Sequence, residues 1–507
     1  MGAQETYDGP FKATGDEEVA AISVEENIQP DWTEEEERLA KRKIDFILLP
    51  ILGLAFFALQ LDRGNIANAL TSTITTDLGV TTNQINAGSS ILSAGIVVLE
   101  LPSNILLQKI GPQKWLAGQI LAWGLVATFQ NFITNYSGYI VTRLLLGLCE
   151  AGFIPGALYT MSLWYKKSES SLRISIFFLG NLLASATTSL IGAGILSMSG
   201  RYGIAGWRWL FIIEGLITIG IGCIFILFLP PSVSNGSPLI SAGKWSYFTP
   251  REQYILVRRI LLDDPAKTTG QLQISGKEVL KTIRKPRILV HNLITLTSTI
   301  SVSAVQGYGP SIIKSLGFKT VRANAMASVG NFIAAFVVVI LGFVADKTGR
   351  RGPAVVFGAT WCVIAYACLR ISIGESKWHR YAAVVFSMAT NSNVHILNVS
   401  WLSINCKSPQ ERSIAMAMII MAANLAAIAG SQVFRTADAP LYTHAFTAMY
   451  ILAAATFVIV VGLMVWYIFA NRRLGKKPVV VQGGLKMEGE SGEEGSLEVV
   501  KRWWWTW

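Results

Sequence analysis

Six charged side chains lie inside long apolar runs of this 507-residue sequence, where charge is costly and therefore indicates a function. An arginine side chain can bind a carboxylate through two parallel hydrogen bonds. A carboxyl group that is removed from water can bind and release a proton. These residue types therefore predict recognition of an anion and exchange of a proton. The six are Asp62, Arg63, Glu100, Arg143, Glu150 and Glu214.

Arg143 and Glu150 are seven residues apart, which is two helical turns, so they share one helix face about 10 Å apart along the axis. Gly147 lies between them on that face, and we expect its missing side chain to leave space for a ligand. We predict that Arg143 binds substrate and that Glu150 carries the proton. The alternative is that the two residues form a structural pair that holds their helix to a neighbour.

Two other carboxyl groups are further candidates for proton coupling. Glu214 lies in WRWLFIIEG, where a structural role is the favoured alternative. Glu100 begins the run ELPSN near the end of an apolar segment, where structural and gating roles are equally compatible with the sequence.

Neutral polar side chains in the second half of the chain could complete a binding cavity. The candidates are His395, Asn393, Gln306 and Tyr308. The alternative for each is a hydrogen bond between helices, because amides and hydroxyls also serve as helix contacts. No two histidines are three or four residues apart and no cysteine pair has CxxC spacing, so neither a metal site nor a cofactor is predicted.

The elements that must position these residues are membrane-spanning helices. The chain is 51% hydrophobic and 15% charged, well below the charged fraction of about one quarter in soluble domains. A spanning helix needs about 20 mostly apolar residues. The sequence predicts an all-α membrane protein of twelve transmembrane helices in two six-helix halves, with runs near 44–70, 86–107, 115–134, 137–163, 174–198, 207–230, 288–308, 323–344, 353–373, 381–402, 413–434 and 445–470.

Cations between the runs predict the orientation. The segment 231–287 contains ten Lys and Arg against four Asp and Glu, and cations of short loops favour the cytoplasmic side. The net charge of +11 is therefore attributed to loops beside lipid and not to nucleic-acid binding. We predict a disordered, acidic, cytoplasmic tail at 1–43 and two six-helix halves at 44–230 and 288–470. The loop between the halves, 231–287, and the C-terminal tail, 471–507, are predicted to be cytoplasmic.

The two halves carry traces of one repeated segment. NILLQKIGPQK at 104–114 and GFVADKTGRRG at 342–352 each place a glycine in a basic turn, at Gly111 and Gly349. Related halves are frequent in secondary transporters, with the binding site between them near the membrane midplane.

The second of these segments resembles the signature loop of the major facilitator superfamily, which implies a conformational role for Asp346, Lys347, Gly349, Arg350, Arg351 and, in the first copy, Gly111. The first copy departs from the family pattern at Asn104 and Gln108. Its run ELPSNILLQKIGPQKW is similar to fungal permeases for allantoate, nicotinate, pantothenate and biotin, in the anion:cation symporter branch.

DRGNIANA at 62–69 is more distantly similar to the vesicular glutamate transporter and sialin group, which implies a substrate role for Arg63. The alternative for Arg63 is an ion pair with adjacent Asp62.

The resemblance implies a proton-coupled uptake permease for a small organic anion that works by alternating access, as a monomer in the plasma membrane. No GxxxxGK[ST], HExxH or GxSxG motif occurs, so we predict no enzymatic activity. The first alternative is an exporter of a secondary metabolite. Drug–proton antiporters usually carry a GPxxGG-like run in the fifth span, and its absence from 174–198 counts against export. The second is a nutrient receptor that keeps the fold without transport.

Overall fold

The computed structural model describes residues 31–263, 276–348, 350–390, 393–406 and 409–475, and these residues form helices without any strand. The first eight helices are α1 (Glu34–Ala69), α2 (Ile74–Leu78), α3 (Thr82–Ile110), α4 (Pro112–Phe129), α5 (Tyr136–Glu150), α6 (Phe153–Trp164), α7 (Lys167–Leu196) and α8 (Gly206–Phe228). The others are α9 (Pro250–Asp263), α10 (Gly276–Ile283), α11 (Pro286–Ser315), α12 (Thr320–Thr348), α13 (Gly352–Ile371), α14 (Lys377–Met388), α15 (Asn393–Ile404), α16 (Pro409–Ser431) and α17 (Thr443–Gly475).

The all-α membrane prediction is confirmed. Within the described residues, nine helical segments are long and apolar enough to cross a membrane, with α5 and α6 forming one of them, and α3 makes ten if its two parts around Pro102 count as one span. The two remaining predicted spans correspond to α4, and to α14 together with α15. The count of twelve is consistent with these helices and stays a prediction.

Two large hydrophobic cores hold the helices together. The first core contains Phe56, Trp123 and Phe153, and it draws its buried residues from positions 40–260. The second core contains Trp401 and Tyr467, and its buried residues come from positions 294–467. We call the two groups of helices the first and the second bundle. They meet mainly where α7 packs against α12, α3 against α16 and α1 against α11.

The helix ends define two faces of the molecule. The start of α11 contacts the end of α17, where His291 Nε2 lies 3.1 Å from Tyr467 Oη. The start of α1 contacts the start of α9, where Lys43 pairs with Glu252 over 2.6 Å. We call this side the terminal face and the opposite side the far face.

Helix α1 begins ten residues before the predicted span. The Thr33 side chain accepts a hydrogen bond from the Glu36 backbone, and the Glu36 side chain accepts one from the Thr33 backbone, which is a capping box. Four glutamates from Glu34 to Glu37 occupy the first turn, where the helix dipole favours negative charge. The prediction that the whole segment 1–43 is disordered is therefore wrong for residues 34–43.

Ion pairs hold α9 against the first bundle on the terminal face. Arg259 is fully buried, and its Nη1 lies 3.2 Å from Glu169 and 3.6 Å from Glu37. Glu37 also pairs with Lys166. Burial opposes ionisation of Glu37, but the hydrogen bonds from Lys166 and Trp32, together with the positive charges of Lys166 and Arg259, outweigh it and lower the pKa of Glu37 below its ordinary value. The helix of the central loop is thus fixed to the first bundle by charge as well as by its apolar face.

Candidate functional site

The centre of the first bundle contains an ion pair between Arg63 on α1 and Glu150 on α5. Arg63 Nε donates to Glu150 Oε2 over 2.7 Å. The Arg63 side chain is 27% exposed, whereas that of Glu150 is fully enclosed. Arg63 is therefore the partner that a molecule from solution could reach, and it pairs with Glu150 and not with adjacent Asp62.

Arg143 is buried on the same helix as Glu150 but does not pair with it. Its guanidinium lies over the rings of Tyr139 and Phe211, with centroid distances of 5.2 and 5.7 Å. Its Nε and one Nη have no hydrogen-bond partner in the described part of the chain. A buried cation with unused donors needs compensation, so Arg143 adds positive potential beside the Arg63–Glu150 pair.

The expectation that Gly147 leaves space for a ligand is wrong. A Cβ atom at Gly147 would clash with the backbone of Leu92, so α3 occupies this face of α5. The glycine permits two helix backbones to approach closely, which is a frequent role of small residues in membrane bundles.

Two further carboxyl groups lie near each other on α1 and α8. Thr218 Oγ1 is 3.2 Å from Asp62 Oδ2 and 3.0 Å from the Glu214 carbonyl oxygen. Glu214 is fully buried, and neither of its carboxyl oxygens has a hydrogen-bond partner among the residues that the structure describes. An ionised carboxylate without donors is costly in such a place, so the neutral acid is the form that this environment suits.

Glu100 connects the two bundles. Its carboxylate accepts a hydrogen bond from Asn424 Nδ2 of α16 over 3.3 Å. Because α3 and α16 belong to different bundles, movement of one bundle against the other would break this contact. The geometry favours the gating role among those left open for Glu100.

A chain of polar side chains lies in the second bundle. His395 is half-buried, and its Nδ1 is 3.5 Å from Thr295 Oγ1. Asn398 donates to the same hydroxyl over 3.0 Å, and its Oδ1 lies 2.6 Å from His291 Nδ1. These contacts fix Thr295 and Asn398, while His395 remains partly accessible. Asn393 begins α15, and its side chain lies outside the described part of the structure.

The sequence model of one family, the Major Facilitator Superfamily, matches residues 52–431, which is most of the chain. The chain belongs to the Major Facilitator Superfamily. It is thus a membrane transporter and not an enzyme. The match includes Arg63, Arg143, Glu150, Glu100 and Glu214, although it assigns no role to any of them.

Relatives of this superfamily member include several fungal transporters. It is 28% identical to the uncharacterized transporter YIL166C of Saccharomyces cerevisiae over 450 residues, which cover 88% of this chain and 83% of the relative. It is 26% identical to the major facilitator-type transporter hxnP of Emericella nidulans, with 92% of both chains covered.

Solved structures share the fold. The xylose transporter XylE from E. coli, in a partially occluded inward-open conformation, superimposes with a TM-score of 0.62 over 83% of this chain and 99% of its own, at 14% identity. A bacterial homolog of the human lysosomal transporter Spinster, inward-facing and unoccupied, gives 0.60 over 87% and 98%, also at 14% identity.

Hydrogen bonds close the two bundles of this major facilitator against each other at the far face. The Thr71 carbonyl accepts from Lys314 Nζ over 2.6 Å and from Thr320 Oγ1 over 2.8 Å, and the Thr71 hydroxyl accepts from Asn324 over 2.7 Å. Ser90 on α3 contacts Ser431 on α16 over 2.8 Å. We call this set of contacts, together with the one at Tyr308 below, the far-face seam.

Tyr308 belongs to the far-face seam. Its hydroxyl donates to Asn86 of the first bundle, and Asn86 Nδ2 donates to the Phe434 carbonyl over 2.6 Å. Tyr308 is buried, so in this conformation it contacts the opposite bundle and does not line an open cavity. Gln306, two residues earlier, is exposed.

The glycine turn predicted in the first copy lies between α3 and α4. Gly111 has φ of +96°, a backbone conformation that favours glycine. In the second copy, Gly349 and the side chain of Asp346 lie outside the described residues. Lys347 and Arg350 are exposed on the terminal face and Arg351 is partly buried. The conformational role of this loop stays a prediction.

Sequence reasoning missed most of the far-face seam and the contacts of His291. Asn86 lies in the polar run TTNQINAGSS, and Asn324 follows Arg322 at the start of a predicted span. Their partners lie 222 and 253 residues away along the chain. No local spacing connects such residues.

Proposed function

We propose that this transporter takes up a small organic carboxylate together with protons, by alternating access between the two bundles. The observation that carries the proposal is the Arg63–Glu150 pair, in which an enclosed carboxylate holds an accessible guanidinium. A substrate carboxylate and Glu150 would compete for the same donor. The sequence resemblance to allantoate, nicotinate and pantothenate permeases supports a substrate of this class.

Protonation of Glu150 would decide the competition. A proton removes the charge of Glu150, which weakens its hold on Arg63 because charge-assisted hydrogen bonds are roughly twice as strong as neutral ones. Arg63 is then available to a substrate carboxylate. When the proton leaves, Glu150 recovers Arg63 and the substrate is released. Proton and substrate would thus bind and leave together, which is symport.

Arg143 would act mainly through its field. It is enclosed by Tyr139 and Phe211, so direct contact with substrate requires a rearrangement that Arg63 does not need. The positive charge of Arg143, whose Nε and one Nη have no hydrogen-bond partner among the described residues, favours an anion in the neighbouring space. We therefore assign the direct contact to Arg63, and to Arg143 the attraction of the anion.

The closed far-face seam supports an inward-facing state of the transporter. We propose that the terminal face is cytoplasmic, because it carries the cation-rich segment 231–287. Both termini would then be cytoplasmic, and residues 44–230 would rock against 288–470 in the plasma membrane. His395 of the second bundle would complete the site from the other side as the bundles close.

Uptake by reconstituted protein tests this function. Proteoliposomes with an imposed inward proton gradient should accumulate at least one labelled carboxylate from a panel of nicotinate, pantothenate and allantoate, and collapse of the gradient should abolish accumulation. Accumulation that persists without the gradient would contradict proton coupling. Efflux of a preloaded carboxylate as protons enter would indicate export, and absence of any transport of the panel would contradict the substrate class.

A further inference from the structure

A cleft of about 650 Å³ lies on the terminal face, outside the bundle that contains the Arg63–Glu150 pair. It is formed by the start of α1 and by the segment that leads into α9. Arg42, Lys43 and Glu252 provide its polar wall, and Phe46, Ile47 and Tyr247 provide most of its apolar wall. The cleft therefore joins a charged surface to an apolar one.

The position along α1 places this cleft at the boundary of the membrane. The helix is charged through Lys43 and, apart from Asp45, apolar in the turns that follow, where the first predicted span begins at Ile44. Phe46 is 80% exposed, so its ring faces the lipid chains when the helix spans a bilayer. Trp245, on the adjoining segment, is 46% exposed, and aromatic residues of this kind concentrate at the headgroup level. Arg42 and Lys43 consequently lie at the depth of the lipid phosphates.

One cation of the cleft lacks a partner. Lys43 Nζ is 2.6 Å from Glu252, so these two charges compensate each other. Arg42 is exposed and has no hydrogen bond or ion pair in the described part of the chain. The cleft therefore carries one uncompensated positive charge beside an apolar wall that is open to lipid.

We propose that this cleft binds one anionic phospholipid of the adjacent leaflet. The guanidinium of Arg42 would hold the headgroup phosphate, because its planar donors match two phosphate oxygens. An acyl chain would run along Phe46 and Ile47. A free phosphate ion or a soluble anion would use Arg42 but gain nothing from the apolar wall. Basic pockets beside spanning helices on the cytoplasmic side are known to take such headgroups.

The lipid would contact two elements that are already joined by charge. Lys43 and Phe46 belong to α1, while Tyr247 and Glu252 belong to the segment leading into α9 and to α9 itself. Both elements are fixed to the first bundle, so the lipid should stabilise the docking of α9 without following the movement between bundles. The expected effect is on stability and lipid retention, whatever the transported substrate is.

Native mass spectrometry of the full-length purified protein, titrated with phosphatidylinositol or phosphatidylcholine, tests the site. The wild type should retain one phosphatidylinositol with clear preference over phosphatidylcholine. Arg42→Gln should weaken this retention about tenfold. Lys114→Gln, which removes another exposed cation at the start of α4, is the matched control and should leave it unchanged.

A second variant should raise the affinity for phosphatidylinositol instead of lowering it. Glu252→Gln removes the one negative charge among the described residues that line the cleft, and glutamine can still accept the capping hydrogen bond from Thr249. Phosphatidylinositol should then bind more tightly than to the wild type. If Arg42→Gln and Lys114→Gln lose phosphatidylinositol retention equally, the lipid is attracted to the cationic surface in general and the proposed site is wrong. If millimolar inorganic phosphate displaces the lipid, the cleft is a site for a soluble anion and the lipid proposal is wrong.

Discussion

Arg63 Nε lies 2.7 Å from Glu150 Oε2, and the two residues differ sharply in accessibility, with 27% of the arginine side chain exposed and none of the glutamate. A ligand entering between the bundles therefore meets the guanidinium first. It can compete for Arg63 without contacting Glu150. In the mechanism that we propose, this asymmetry would allow protonation of the enclosed Glu150 to control the availability of the exposed Arg63.

Glu150→Gln should separate exchange from accumulation. Glutamine imitates the protonated side chain permanently, so Arg63 stays available and the loaded transporter can still move across the membrane. Net uphill uptake requires release of the proton and should fail. In proteoliposomes we expect substrate-for-substrate exchange to persist while accumulation driven by a pH gradient disappears.

Glu214→Gln is the matched control for this experiment, because it makes the same change at another buried carboxyl of the first bundle, one without a hydrogen-bond partner in the described part of the chain. It should retain both exchange and accumulation. If Glu214→Gln loses accumulation and Glu150→Gln keeps it, the coupling site is at Glu214. Loss of both activities in Glu150→Gln with poor folding would instead support a structural pair, since Arg63 would be left without its partner.

Arg63→Lys should weaken substrate binding more than Arg143→Lys does. Lysine keeps the charge but loses the paired donors that suit a carboxylate. Charge-assisted hydrogen bonds contribute about 1.5–3 kcal/mol, so we expect KM to rise roughly tenfold or more in Arg63→Lys. Initial uptake rates, normalised to surface expression, measure this change.

Arg143→Lys should mainly lower stability. Its guanidinium stacks over Tyr139 and Phe211, and such contacts contribute about 2 kcal/mol when they are desolvated. A decrease in Tm with a small change in KM is the expected result. A large rise in KM at unchanged Tm would instead identify Arg143 as the direct substrate contact, which is the role that the sequence alone predicts for it.

The sequence predicted which residues are unusual but not which of them meet. Lone charges in apolar runs identified Arg63, Glu150 and Glu214, because only the cost of burial is needed for that inference. The pairing of Arg63 with Glu150 joins positions 87 residues apart, and it depends on how α1 rotates against α5. Gly147 shows the same limit of sequence-based prediction. Helix periodicity places it on the face of Arg143 and Glu150, but it does not reveal that α3 packs against that face.

The orientation can be tested with single cysteines in a background without native cysteines. Ser234→Cys lies just after α8 on the terminal face, and Arg201→Cys lies between α7 and α8 on the far face, and both positions are exposed. A membrane-impermeant maleimide applied to intact cells should label only Arg201→Cys. Labelling of Ser234→Cys before permeabilisation would contradict a cytoplasmic terminal face.

Tyr308→Phe should shift the transporter towards an outward-open state. The change removes the hydroxyl that donates to Asn86, and a hydrogen bond contributes about 1 kcal/mol net. The population ratio of open to closed far face should therefore rise about fivefold. Spin labels at Arg201→Cys and Glu375→Cys, on far-face loops of the two bundles, report this distance by double electron–electron resonance.

The matched control is Tyr202→Phe, which removes the same hydroxyl from an exposed tyrosine of the far face outside the seam. Its distance distribution should equal that of the wild type, whereas Tyr308→Phe should add a longer component. Because the far-face seam contains several other hydrogen bonds, the shorter component should persist. If Tyr308→Phe leaves the distribution unchanged while Asn86→Ala lengthens it, Asn86 acts through the Phe434 carbonyl and the tyrosine hydroxyl does not hold the bundles together.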